Sequence, residues 1–160
     1  MAKTNERFLE IGTLRTDSRI ICKDKGEERE YILNNPSRME VLFLQSDGEL
    51  FKTTDKDRRC DFIIAFHATL PTAILVELKG RHIDRALSQI ETSLGFMQRD
   101  YSYKRFYGRI VSSGKTPAIL STNQIKLKNK FKALGGNLQI KTTRMEEHIH
   151  PDGSVSSKRR

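Results

Sequence analysis

CDFIIAFHATLPTAILVELKG, residues 60–80, decides the fold. Its two apolar runs, 61–67 and 73–79, have the length and the isoleucine, valine and phenylalanine content of strands. The apolar lead-in of the second run, residues 73–76, points to a central strand rather than an exposed edge. Yet Asp61 opens the first run, and Glu77 and Lys79 close the second. Three ionisable groups in the two most apolar segments need a physical reason.

Working outward, residues 39–45 read as another apolar strand, followed by a Ser46-Asp47-Gly48 turn and a shorter strand to about residue 53, a hairpin pattern. Further upstream, KGEEREYIL (25–33) reads as a short helix broken by Asn34-Asn35-Pro36. Downstream the period changes. Ile83, Ala86, Leu87, Ile90 and Leu94 fall on one helix face, which predicts a helix over 83–99 entered through Gly80. KRFYGRIVSSG (104–114) then reads as a strand, and NQIKLKNKFKALGG (123–136) as a lysine-rich helix closed by Gly135-Gly136. NLQIKT (137–142) reads as the last strand. The expected class is α/β, a central mixed sheet flanked by helices, in one domain over 1–150 with a flexible basic tail over 151–160.

Composition agrees with one domain. The chain has 160 residues, 36% of them hydrophobic, which suffices for one core. No window approaches a membrane span and the amino terminus carries no secretory apolar segment, so a cytoplasmic protein with no membrane partner is expected. Cys22 and Cys60 have no metal-motif spacing, and a reducing compartment disfavours a disulfide. The charge is uneven. Residues 1–98 hold 15 Lys/Arg against 16 Asp/Glu, while 99–160 hold 14 against 4. A basic excess confined to the last 62 residues suits a phosphate backbone as partner, against the plainer reading of a solvated surface.

The charged strand ends carry the chemistry. Side chains alternate along a strand, so Glu77 and Lys79 belong to one face, roughly 6 to 7 Å apart, with Val76 and Leu78 on the other. If the two strands pair, Asp61 brings a second carboxylate within reach of Glu77. Two close carboxylates repel unless a cation lies between them, and their oxygen donors suit magnesium or manganese. A neighbouring lysine can orient water or stabilise charge on a phosphate, so the set suits phosphodiester hydrolysis.

Asp61 followed sixteen residues on by Glu77-Leu78-Lys79 resembles the D…ExK signature of the PD-(D/E)xK, or restriction-endonuclease-like, nuclease superfamily. The resemblance spans residues 39–111, with Cys60 where the family name has proline. It implies a restriction-endonuclease-like core and a divalent-metal-dependent nuclease, a DNA endonuclease of bacterial defence or DNA processing. In that reading Asp61 and Glu77 bind Mg2+ (or Mn2+), Lys79 polarises water or phosphate, and Gln89 supports the site from the following helix. Ser93 stands where members with a QxxxY pattern have tyrosine. The resemblance also implies a carboxylate on the first helix, for which Glu28 and Glu30 are the candidates. By analogy a compact nuclease of this kind gains footprint as a homodimer, or depends on an activating protein partner.

RDYSYKRFYGRIV (99–111) interleaves aromatic and basic residues, which makes Lys104, Arg105 and Arg109 candidate nucleic-acid contacts, with Phe106 and Ile110 assigned to the core. Lys126 and Lys130 of the lysine-rich helix are the others. EEHIH (146–150) offers His148 and His150 as metal ligands without a third at motif spacing, and His67 and His82 flank the carboxylates. The rival to an enzyme is a catalytically silent nucleic-acid-binding or assembly subunit with the same fold.

Overall fold

The structure, a computed structural model, describes residues 12–24, 26–45, 60–79, 82–113 and 121–158, without the side chains of Lys79 and Asp100. In chain order its elements are β1 (Thr13–Arg15), β2 (Arg19–Cys22), β3 (Glu30–Asn34), β4 (Val41–Gln45), β5 (Phe62–His67) and β6 (Pro71–Lys79). They continue as α1 (Ile83–Asp100), β7 (Arg105–Ser112), α2 (Thr122–Ala133), β8 (Leu138–Thr142), β9 (Arg144–Ile149) and β10 (Val155–Ser156). The two runs of the 60–80 stretch form an antiparallel hairpin in register Phe62↔Val76 through His67↔Pro71. Around it grows a six-stranded mixed sheet, ordered β1-β4-β5-β6-β7-β8, in which β6, β7 and β8 run parallel.

Alternation sorts the hairpin's side chains into two cores. Ile63, Ala65, Ala73 and Leu75 pack with Ala86, Leu87, Ile90 and Leu94 of α1 and with Leu127 and Phe131 of α2. Phe62, Ile64, Phe66, Ile74, Val76 and Leu78 face the other way. At about 1.5–3 kcal/mol for each large apolar side chain fully removed from water, neither face can be left open. The expectation is a sheet flanked by helices. Among the described residues both helices cover one face, and the second face is covered by a four-stranded sheet, β10-β9-β3-β2, through Ile20, Tyr31, Leu33, Met145, Ile149 and Val155.

That second sheet accounts for the departures from expectation. KGEEREYIL is not a helix: Glu27 N–H closes a turn on Asp24 O, Gly26 has φ of 81°, and the chain enters β3 with Tyr31, Ile32 and Leu33 all buried. Three consecutive buried apolar residues fit a strand covered on both sides better than one helical stripe. Glu28 and Glu30 are therefore not helix-borne carboxylates, and Glu30 pairs with Arg144 at 3.1 Å. β8 is not the last strand, since Thr143 at φ 67° leads directly into β9. Where a flexible tail is expected from 151, the chain instead turns and adds β10, burying Val155. In the 39–53 hairpin, β4 is present, and the turn and second strand fall on 46–59, outside the described residues.

Two glycines set how α2 meets the sheet. Gly136 N–H bonds Phe131 O and Gly135 N–H bonds Lys132 O, closing the helix with Gly135 at φ 83°. A Cβ on Gly136 would stand 1.9 Å from Phe106 O, a backbone atom of the adjoining strand. Gly136→Ala should therefore cost about 3 kcal/mol, the upper part of the range for overpacking. Gly26→Ala, strained by φ of 81° but facing open space, should cost only about 1 kcal/mol. Urea denaturation of the two variants measures the difference, and equal losses would contradict this account of the α2 seat.

Candidate functional site

The register places the carboxylates. One step beyond Phe62↔Val76 sets Asp61 opposite Glu77, on the face shared with Ile63 and Leu75. Asp61 lies just before β5 begins, where the β5 side of β6 is no longer paired, and there Asp61 Oδ2 accepts the Leu78 N–H at 2.9 Å. The side chain thus replaces a missing ladder bond and is held over the end of β6. On its other side, Cys60 N–H donates to Ser93 Oγ of α1 at 2.8 Å. Asp61 is consequently tied to the sheet through its side chain and to the helix through its preceding residue.

Glu77 is wholly buried beneath α1, whereas Asp61 is half-buried. Gln89, buried and one turn before Ser93, lies on the same flank of α1 as Ala86. The Cys60 thiol registers the convergence. Burial pushes it up most, the Ser93 bond opposes that, and the negative charges of Glu77 and Asp61 push it further. The corner sits at the carboxyl ends of the parallel strands, where Glu77 pairs with Ile110 and Lys79 with Ser112. Open α/β sheets bind ligands at that end. Asp61 meets the β6 backbone beside Glu77, and Gln89 lies one turn from Ser93, the α1 residue that meets Cys60; the Lys79 side chain lies outside the described atoms.

The candidate nucleic-acid contacts do not form one surface. Lys104 is exposed, but it precedes the start of β7, whose Arg105 pairs with Thr72, five residues and about 17 Å along β6 from Glu77. Arg105 is buried, donating to Thr72 Oγ1 at 3.1 Å and to Asp152 O at 3.0 Å. Arg109 is a correction: it is 0% exposed, and its Nε lies 2.6 Å from Glu147 Oε1. Tyr31 OH donates to that same oxygen at 2.8 Å, joining β7 to β9 and β3 across the layers. Every residue of β7 is buried, so its basic residues are interior groups with partners. Tyr101, Tyr103, Phe106 and Tyr107 are buried as well, which removes them as stacking platforms. Lys126 and Lys130 are exposed on α2, and Lys126 borders a groove with Asp84, Ser88 and Glu91 of α1.

The histidines scatter. His82 is exposed at the start of α1, and His67 lies at the far end of β5 beside Tyr103. His150 is buried with Nε2 2.6 Å from Ser156 Oγ. Among the described residues no group of three or more His, Cys, Asp or Glu is arranged to cage a metal. Sequence reasoning missed Ser93, which had registered only as a departure from tyrosine, and the Tyr31–Glu147–Arg109 set, whose members lie more than 35 residues apart.

Both cysteines are buried and free, and burial raises both thiols, as it raises the Tyr31 hydroxyl well above its ordinary value. The folded chain then keeps these protons to higher pH than the unfolded chain does, so stability should fall as pH rises past 9.0, the ordinary thiol value. Urea midpoints at pH 8 and pH 10 test the sign, and an unchanged or higher midpoint at pH 10 would refute it. No protein-family model, curated protein or solved structure matches the chain, so the function of this corner rests on its own side chains.

Proposed function

We propose that the protein is a divalent-metal-dependent nuclease acting on DNA, on a restriction-endonuclease-like core. The observation that carries the reading is Asp61 Oδ2 accepting the Leu78 N–H, next to Glu77, at the carboxyl end of the central strand. The supporting order is strand, strand with Glu77-Leu78-Lys79, helix, parallel strand, which β5, β6, α1 and β7 follow.

The donor set fits the implied ion. Two carboxylates offer hard oxygen ligands to Mg2+ or Mn2+, the first of which keeps several waters in its shell. When bound, such an ion supplies a polarised phosphoryl oxygen and a more acidic water. Glu77 is covered while Asp61 is half-exposed, so approach is from the Asp61 side. Asp61 and Glu77 would hold the ion, and Gln89 of α1 would support the site. Lys79, at the last position of the ExK triplet, stabilises charge gathering on the phosphate. The exposed lysines of α2, rather than Arg105 or Arg109, supply the contacts to the strand.

Complete burial of Glu77 favours a second reading, a catalytically silent binding or assembly subunit in which that carboxylate is structural. Cleavage of plasmid DNA with magnesium separates the two. Glu77→Gln and Lys79→Ala should each lower cleavage by at least about a hundredfold while salt-sensitive DNA binding persists. Lys126→Glu with Lys130→Glu should weaken binding and flatten its salt dependence. A wild type that cleaves neither DNA, RNA nor branched substrates with magnesium or manganese sinks the catalytic reading and leaves the binding subunit.

A further inference from the structure

The outer face of α2 has more order than a solvated lysine surface requires. At 3.6 residues per turn, Thr122, Ile125 and Asn129 fall within about 60° of one another, opposite the buried Leu127 and Phe131. All three are exposed, and Ile125 keeps 46% of its surface in water. Lys126 and Lys130 flank this ridge on one side, and Lys128 and Lys132 flank it on the other. The helix carries no acidic residue. Beyond the Lys126 row, Asp84 and Glu91 of α1 border the next groove, so the cationic strip ends there. The result is two rows of cations with an uncharged ridge between them.

That arrangement is complementary to a groove of duplex DNA, whose two walls are phosphates and whose floor is base edges. With its side chains a helix is about 10–12 Å across, and the major groove of B-form DNA is about 12 Å wide. The ridge residues suit the floor. An asparagine amide pairs bidentately with N6 and N7 of adenine, and apolar atoms such as those of Ile125 and the Thr122 methyl meet the thymine methyl. Ile125 and Asn129 are four residues apart, about 6 Å along the axis, so they reach neighbouring base pairs. Duplex RNA fits poorly, because its major groove is too deep and narrow for side chains to read. Single strands are held by stacking on exposed aromatic rings, and the one aromatic residue of α2, Phe131, is buried.

We infer that α2 reads the major groove of duplex DNA, with Asn129 on an adenine edge, Ile125 and Thr122 against thymine methyl groups, and the two lysine rows on the phosphates. The inference rests on DNA as the proposed partner and deepens it, since phosphate contacts from lysines alone carry no sequence information. The position of α2 is consistent with the proposed chemistry. β7 ends at Ser112, and β8, entered after α2, runs parallel to it, so α2 starts at the carboxyl end of the sheet and returns along it. That is the end that holds Asp61 and Glu77.

The test is selection by the full chain from a randomised pool of duplex DNA, in EDTA so that nothing is cleaved, followed by fluorescence anisotropy on selected and unselected duplexes. The wild type should select a short motif containing adenine and bind it at least about tenfold more tightly than unselected duplex. Asn129→Ala should remove about tenfold from the selected duplex and nothing from the others, with the salt dependence unchanged. Lys132→Ala should instead weaken every duplex alike and reduce the slope of log affinity against log salt by about one. Ile125→Ala should relax the preference at a position next to the adenine. Because these side chains are exposed, all three variants should keep the wild-type melting temperature. Selection of no motif, an equal loss from Asn129→Ala on every duplex, or equal affinity for duplex RNA or single strands overturns the inference. A wild type that reads duplex DNA yet never cleaves it with magnesium supports the inference and sinks only the catalytic reading.

Discussion

Coverage of β5 and β6 on both faces is the constraint from which the rest of the molecule follows. With helices on one side and a second sheet on the other, an ionisable group on these strands or on β7 has two places to be. It can sit where the strands end, or it can meet a partner across the layer. Asp61 and Glu77 take the first course and Arg109 the second. An isolated buried charge costs several kcal/mol even after relaxation, so neither arrangement is neutral, and each needs specific compensation nearby.

For Arg109 the compensation is visible. Glu147 meets it from the second sheet, its carboxylate held in turn by Tyr31 OH, and the Gly108 and Asn137 carbonyls meet it from its own sheet. Such a pair contributes little net stability beside an apolar replacement, but removing one partner costs about 3–5 kcal/mol. Its consequence is therefore registry. β3 and β9 run parallel and must stack on β7 in the one alignment that brings Tyr31 and Glu147 over Arg109. A one-residue slip would turn those side chains to the other face.

The parts of the fold legible in the chain were those written in local pattern. The 60–80 hairpin, the 3.6-residue stripe of α1 and the Gly135-Gly136 stop of α2 each express themselves within twenty residues. The second sheet did not, because β2, β3, β9 and β10 are short strands and join residues as distant as Tyr31 and Met145. KGEEREYIL shows the ambiguity: its charges suggested a helix, yet Tyr31-Ile32-Leu33 form a strand interior once another strand lies on each side. The interleaved basic and aromatic residues of β7 misled for the same reason. Charge in a sequence does not say whether water or a carboxylate meets it. The Asp61–Glu77 juxtaposition was readable because it needs only one hairpin register, whereas Ser93 meeting Cys60 required the tertiary seat of α1.

The corner at Asp61 joins stability to chemistry. The Leu78 and Cys60 amides are backbone donors at a place where the ladder has run out, and each is satisfied by a side chain from another element. The same two bonds fix Asp61 from both sides, the degree of restraint a ligand-holding carboxylate requires. A capping role alone would not require a carboxylate, since a neutral asparagine oxygen accepts an amide hydrogen as well. Charge beyond what the Leu78 hydrogen bond needs is the feature of Asp61 that the proposed ion-holding role accounts for.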